Sequence, residues 1–317
     1  MIDTININLH MTVKGVDRLI TKYYFTNRKP KLLRNLRIKI FDNGVHINGS
    51  LTKYIAGTNL YTPSYFEIKE ALLEIGETLK VDIREGTISK IDIANNFRMN
   101  EPVPLYLNDI WTCPRTKLMF YFDESITFRN YSLSLKFYDK LKQMMKKNKM
   151  DFLGTNYGDI YMLRIELSIK KNITKRFGKK QIMVEKLFNQ QFYFQLIDEW
   201  LKYINRVKRV PTYTEKSFDS IYQYDLTPKQ FVEHLAAIGF HKLTNKEQRL
   251  LFDSVDNIFD HNSRSRIREK LNSITSQYIP TVYSYDLWSE FDEKIEKFYE
   301  AYKRNAIAED LQFIYNK

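Results

Sequence analysis

Five short stretches of this chain alternate apolar and polar side chains with a period of two, and that alternation constrains the fold more than any other feature. A strand turns successive side chains to opposite faces. A chain that repeats the pattern buries its apolar rows by pairing those strands into a sheet with one covered face and one wet face. In "NLRIKIF" (35–41), Leu36, Ile38 and Ile40 alternate with Arg37 and Lys39. "DNG" follows at 42–44, and Asn-Gly between alternating runs predicts a hairpin. The return strand "VHINGS" turns Val45 and Ile47 inward and His46, Asn48 and Ser50 outward. "TISKIDIANNF" (87–97) sets Ile91 and Ile93 against Lys90 and Asp92. "SLSLKFYDK" (132–140) sets Leu133, Leu135 and Phe137 against Ser132, Ser134, Lys136, Tyr138 and Lys140. "IYMLRIELSIK" (160–170) sets Leu163, Ile165, Leu167 and Ile169 against Arg164, Glu166 and Ser168.

Helical spacing fills the gaps. "TPSYFEIKEALLEIGETL" (62–79) reads as a helix with Thr62 or Ser64 as its N-cap. "PVPLYLNDIW" starts a short helix, and another follows the 133–139 strand at about 140–149. After residue 178 the pattern turns helical, at about 180–207, 227–239, 244–259, 263–276 and 285–305, with 208–220 as a linker. The expected class is α+β: an antiparallel sheet with helices on one face over 1–207, then a helical accessory domain over 208–317.

The wet face is basic. The net charge is +12, and positive residues cluster: 27–39 holds six Arg or Lys and no acid, 136–149 six Lys against one Asp, and 164–180 seven bases against one Glu. Such clustering favours a polyanionic partner. No stretch approaches the roughly 18–20 apolar residues of a membrane span. "MIDTININLH" lacks the basic and apolar regions of a signal peptide, so a cytoplasmic protein without membrane partners is expected. Cys113 is the only cysteine, which excludes an intramolecular disulfide and a cysteine-based zinc site.

In an antiparallel sheet the outward rows share one face. His46, Asn48, Asp92, Tyr138 with Lys136 and Lys140, and Glu166 would then lie together. Two carboxylates and an imidazole suit Mg²⁺ or Mn²⁺, which polarises a scissile phosphate. A tyrosine hydroxyl can attack phosphorus and form a phosphotyrosine, and neighbouring lysines offset phosphate charge and favour the phenolate. Ordinary readings compete at every position. A strand tyrosine usually packs, carboxylates on a wet face are usually solvated, and Lys140 would suit a solvated helix start.

Four segments, in order, carry a resemblance. "VHINGSLTKYIAGTN" (45–59), "ISKIDIANNFRMNEPVPLYLNDI" (88–110), "LSLKFYDKLKQ" (133–143) and "LRIELSIKKNITKRFG" (163–178) are similar to the filamentous-phage gene II/gene X replication proteins and their plasmid relatives. These are rolling-circle initiators related in mechanism to the HUH endonucleases. The resemblance implies Tyr138 as nucleophile, Lys140 as the motif lysine of Tyr-x-Lys, and Asp92, Glu166 and His46 as metal ligands. "HIN" keeps one histidine of a His-hydrophobe-His motif and has Asn48 in place of the second. DNA contacts are expected from Lys136, Arg164, Lys53, Arg37, Lys39, Lys170 and Lys171. The implied activity is a metal-dependent nick at a single-stranded origin region, leaving a 5′-phosphotyrosine and a 3′-hydroxyl primer. The chain has no Gly-x-x-x-x-Gly-Lys-(Ser/Thr), so a host helicase would open the duplex and a host polymerase extend it. "LTPKQFVEHLAAIGF" and "NSRSRIREKLNSI" have helix-turn-helix texture suited to origin duplex. Tyr131 lies seven residues from Tyr138 and has opposite strand parity, so ending the cycle would need a homodimer or a water attack. A non-catalytic single-strand-binding relative and a relaxase-type nickase are the competing functions.

Overall fold

The computed structural model describes residues 1–12, 14–17, 31–121, 124–148, 160–170, 173–177, 181–209, 245–277 and 285–303, with scattered positions between 227 and 243. Among these, eleven strands run β1 (Ile2–His10), β2 (Lys31–Leu33), β3 (Leu36–Phe41), β4 (Gly44–Ser50), β5 (Thr87–Met99), β6 (Ile110–Thr112), β7 (Lys117–Tyr121), β8 (Ser125–Arg129), β9 (Leu133–Asp139), β10 (Tyr161–Ile169) and β11 (Lys208–Arg209). Nine of them form one sheet in the order β2-β3-β4-β1-β5-β10-β9-β8-β7, antiparallel at every pairing, and β11 pairs with β6 separately.

The alternation works as expected. Leu36, Ile38 and Ile40 are buried while Arg37 and Lys39 are exposed, and Val45 and Ile47 are buried while His46 and Asn48 are half-buried. The hairpin turns at Asp42 and Asn43, with Phe41 paired to Gly44. A Cβ at Gly44 would lie 2.0 Å from the Leu9 carbonyl oxygen, so strand packing rather than turn geometry demands this glycine. Besides the short strands β2, β6, β7 and β11, one long strand escapes the sequence reading: β1 lies inside the sheet, between β4 and β5. Ile5, Ile7 and Leu9 are its buried row and Thr4, Asn6 and Asn8 its outward row.

The helices are α1 (Leu51–Ala56), α2 (Tyr65–Leu79), α3 (Val103–Asn108), α4 (Lys140–Asn148), α5 (Ile173–Arg176), α6 (Gln190–Ile204), α7 (Asn245–Ile258), α8 (His261–Gln277) and α9 (Tyr285–Lys303). Ser64 caps α2 in a reciprocal capping box with Glu67. Its Ile68, Ala71, Leu72, Ile75 and Leu79 are buried at helical spacing. The helix expected from residue 180 starts at Gln190, after a 3₁₀ turn over Val184–Phe188.

The helical layer covers the apolar face. Phe97 of β5 stacks on Trp200 of α6 (centroids 6.2 Å apart) and meets Phe298 of α9 edge-on at 5.7 Å. The expected accessory region therefore does not run unbroken from 208 to 317. Trp288, Phe291, Ile295, Phe298 and Tyr302 of α9 belong to the same core as the sheet. Trp288 Nε1 donates to Asp109 (2.8 Å), and the Tyr302 hydroxyl donates to the Pro63 carbonyl (2.9 Å). Two pieces reach round to the wet face at the β9–β10 end: α4, and the loop after α1, whose Asn59 carbonyl accepts from Arg164 of β10.

Candidate active site

Register brings most of the expected side chains together. Across β5, β10, β9 and β8, Glu166 faces Lys136, which faces Thr127. Arg164 faces Tyr138, which faces Ser125, and Ser168 lies between Asp92 and Ser134. These outward rows floor a cleft of about 600 Å³, with α4 supplying Gln143 and Lys146 to its wall. Five cations line it: Lys90, Arg129, Lys136, Lys146 and Lys170. Lys146 pairs with Glu124 (2.6 Å) and Lys90 with Asp92 (2.6 Å); Asp139 and Glu166 also line the cleft, whose five cations still outnumber its acids. Burial pushes the Lys170 ammonium below its ordinary pKa, and repulsion from Lys90, Arg129 and Lys136 adds to that. A bound anion relieves such crowding.

Tyr138 sits in the cleft, only 6% exposed. Its hydroxyl donates to Glu166 Oε2 at 3.4 Å, a long bond. Burial raises the phenol's pKa, and the nearby Arg164 guanidinium opposes this without cancelling it. Burial therefore outweighs the neighbouring cations expected to favour the phenolate, and an attack needs a base. Lys140 is not on a solvated helix start. It is 1% exposed, its Nζ lies 5.9 Å from the Tyr138 ring centroid, and it donates to Gln143 Oε1 at 3.0 Å.

Arg164 is the sharpest departure. Expected as a DNA contact, it is 2% exposed. Nη2 donates to Asp3 Oδ2 at 2.5 Å, Nη1 donates to Asn59 O (3.0 Å) and Asn96 Oδ1 (3.1 Å), and Nε lies 3.7 Å from Glu166 Oε2. The other Asp3 oxygen accepts from the Ser50 hydroxyl at 2.7 Å, and Ser50 in turn caps α1. Arg164 thus organises Glu166 and Tyr138 from beneath and offers no guanidinium edge to a strand of DNA.

The three expected metal ligands do not converge. Asp92 and Glu166 are close enough that Glu166, after burial, is the second cause raising the Asp92 pKa. Asp92 Oδ1 is buried without a well-formed hydrogen bond, although the Ser168 hydroxyl opposite is near enough to temper its pKa. His46 pairs with Asn8 and Asp92 with Thr4, on opposite sides of β1. Four residues of rise and two strand spacings put them roughly 16 Å apart. The described residues contain no group of three His, Cys, Asp or Glu side chains able to hold a metal. The carboxylate pair alone fits a hard cation of the Mg²⁺ type, which keeps several waters and takes phosphate oxygens as ligands. His46 does not belong to that set.

Lys136 and Lys170 line the cleft, Arg37 and Lys39 are exposed on β3, and Lys53 is exposed on α1. Lys171 lies outside the described residues. Tyr131 is 75% exposed, in the loop between β8 and β9, and does not line the cleft. The sequence reading missed Asp3, Arg129 and Gln143. Arg129 was detectable in principle, since "SITFR" alternates and places Ser125, Thr127 and Arg129 on one face.

Residues 19–202, more than half of the chain, match the family model of the N-terminal region of the phage gene II-type replication-associated protein. The chain belongs to this phage replication-protein family. No curated protein matches it. The matched span runs from β2 into α6 and includes Asp92, Tyr138, Lys140, Arg164 and Glu166. β1, which contributes Asp3, and α9, which completes the core, lie outside it. No described helix is long and apolar enough to cross a membrane.

Proposed function

We propose that this replication-associated protein is an initiator that nicks and rejoins one strand of origin DNA through Tyr138. The observation that carries the reading is a tyrosine hydroxyl hydrogen-bonded to a carboxylate inside a cleft walled by cations. A chain of this family acts in replication, and nucleic-acid phosphate is the anion such a cleft suits.

Lys136, Lys170 and Arg129 hold the scissile phosphate and its neighbour. Tyr138 Oη attacks phosphorus in line as its proton passes to Glu166, which acts as general base. The P–O3′ bond breaks, the leaving 3′-oxygen takes a proton from water to become the 3′-hydroxyl primer, and the 5′-phosphate stays on the tyrosine. Arg164 orients Glu166, its Nε lying 3.7 Å from Oε2. A divalent cation, when bound, neutralises charge on the phosphate, and Asp92 and Glu166 would hold it. The phosphotyrosine conserves the bond energy, so a later 3′-hydroxyl can reverse the step.

The test is a denaturing gel of purified protein with single-stranded DNA from its own gene's flanks, with and without Mn²⁺. A covalent adduct that disappears in Tyr138→Phe is expected. An adduct that persists in that variant removes Tyr138 as nucleophile. One observation favours a second reading: Tyr138 is nearly buried, and that burial raises its pKa. A non-catalytic single-strand-binding protein would bind without metal, form no adduct, and tolerate Asp92→Ala and Glu166→Ala.

A further inference from the structure

Outside the cleft, the wet face continues to the far edge of the sheet. Arg37, Asn48, Asn6 and Lys90 lie directly opposite one another on β3, β4, β1 and β5, forming one straight row that ends at the cleft wall. Lys39, His46 and Asn8 form the adjacent row. Phe41 continues the outward side of β3, 43% exposed, with Lys39 Nζ 4.9 Å from its ring centroid. Val16, in the described part of the connection after β1, is buried in the apolar core. Burial, and then Lys39, hold the His46 imidazole below its ordinary pKa, so at neutral pH it is an uncharged donor and acceptor. Cations, an exposed ring and neutral hydrogen-bonding groups, with no acid among these two rows, suit a single strand of nucleic acid.

At the centre of the row Asn48 Nδ2 donates to Asn6 Oδ1. That bond ties the two amides together, and each side chain keeps further hydrogen-bonding capacity. A carboxamide can match a base edge, as asparagine and glutamine do with adenine. Strand rise and spacing put this pair roughly 25 Å from Tyr138, several nucleotides from the nick.

We propose that Arg37, Lys39, Phe41, His46, Asn48 and Asn6 form a single-stranded DNA subsite beside the cleft, in which the Asn6–Asn48 pair reads one base flanking the nick. Arg37 and Lys39 hold phosphates, Phe41 stacks a base, and the amides choose it. The inference deepens the initiator reading, because the strand that reaches Tyr138 is the one that crosses these rows. It reassigns His46 from metal to DNA.

The experiment is fluorescence anisotropy, without metal, of labelled flanking-strand DNA against a scrambled strand of equal composition. Wild type is expected to prefer the flanking strand, and Asn6→Ala/Asn48→Ala to lower that preference about tenfold. Arg37→Ala should weaken both strands together and flatten the salt dependence by about 0.7 in log–log slope. Thermal melting establishes that each variant folds. A folded Asn variant that keeps the full preference overturns the proposal, as does a wild type that binds both strands equally. Retained preference in wild type with no covalent adduct would sink the nicking reading and leave this subsite standing.

Discussion

The Asp3–Arg164 pair shows how a conclusion about one residue changes when its neighbours are known. An arginine on an outward strand row reads as a phosphate contact, yet the loop at Asn59 and the side chain of Asp3 close over it. Neither is adjacent in sequence, so the burial is not legible there. For Asp3, burial pushes the carboxyl pKa up, but Arg164, the Ser50 hydroxyl and Lys140 outweigh burial and hold it below 3.8. The stabilisation is therefore intact above about pH 4 and is lost as pH falls through the lowered value. Asp3→Asn breaks a buried pair and leaves Arg164 uncompensated, which should cost about 3–5 kcal/mol at pH 7. Because acid protonates the wild-type carboxyl too, the gap between wild type and variant should narrow at pH 3. Urea melts at the two pH values check this, and a gap that stays constant would mean Asp3 acts by shape alone. The same variant should also misplace Glu166, so adduct formation should fall even in molecules shown to be folded.

Among the elements, strand periodicity is the most legible signal, and it reads even β9 and β10, which carry Tyr138 and Glu166, on the correct faces. β1 escapes it although Ile5, Ile7 and Leu9 alternate, because its outward row is the neutral Thr4, Asn6 and Asn8, which contrasts less with the apolar row than charged side chains do. Register is the harder quantity. Asp92 and Glu166 meet because β5 and β10 are in contact, but β1 stands between His46 and Asp92 and their partners on it are four residues apart, an order and register that alternation does not encode. Gly44 and Ser64 illustrate two grades of local constraint. Gly44→Ala drives a methyl against the Leu9 carbonyl between paired strands, where neither backbone can retreat. It should cost about 3 kcal/mol. Ser64→Ala removes one half of a capping box on α2 and should cost about 1 kcal/mol. Denaturant midpoints rank the two, and a milder Gly44→Ala would show that the β1–β4 ladder yields.

The whole molecule is a basic sheet face backed by a helical layer, and both halves of that description carry consequences. If Arg129, Lys136 and Lys170 each meet a phosphate, log affinity for single strands should fall with log salt at a slope of about −2. A slope near zero would argue against a backbone-binding cleft. The helical layer decides what can be removed. Helix α9 supplies five side chains to the main core, whereas Phe240 and Val255 are the buried apolar side chains described between 227 and 277, and neither joins that core. Arg209, at the end of the sheet region, pairs with Asp292 and stacks on Trp288, so α9 begins close to where β11 ends. From the helical rise, Arg209 and Tyr285 are separated by on the order of 10–20 Å, a span that about 12 flexible residues cover. Replacing 211–283 with such a Gly/Ser linker should leave a cooperative melt and an intact cleft. Deleting 285–317 should expose Phe97, Trp200 and Tyr193, and lower the melting temperature sharply or leave the protein insoluble. Loss of folding in both would mean that α7 and α8 belong to the same structural unit as the sheet, and survival of both would mean that α9 merely decorates it.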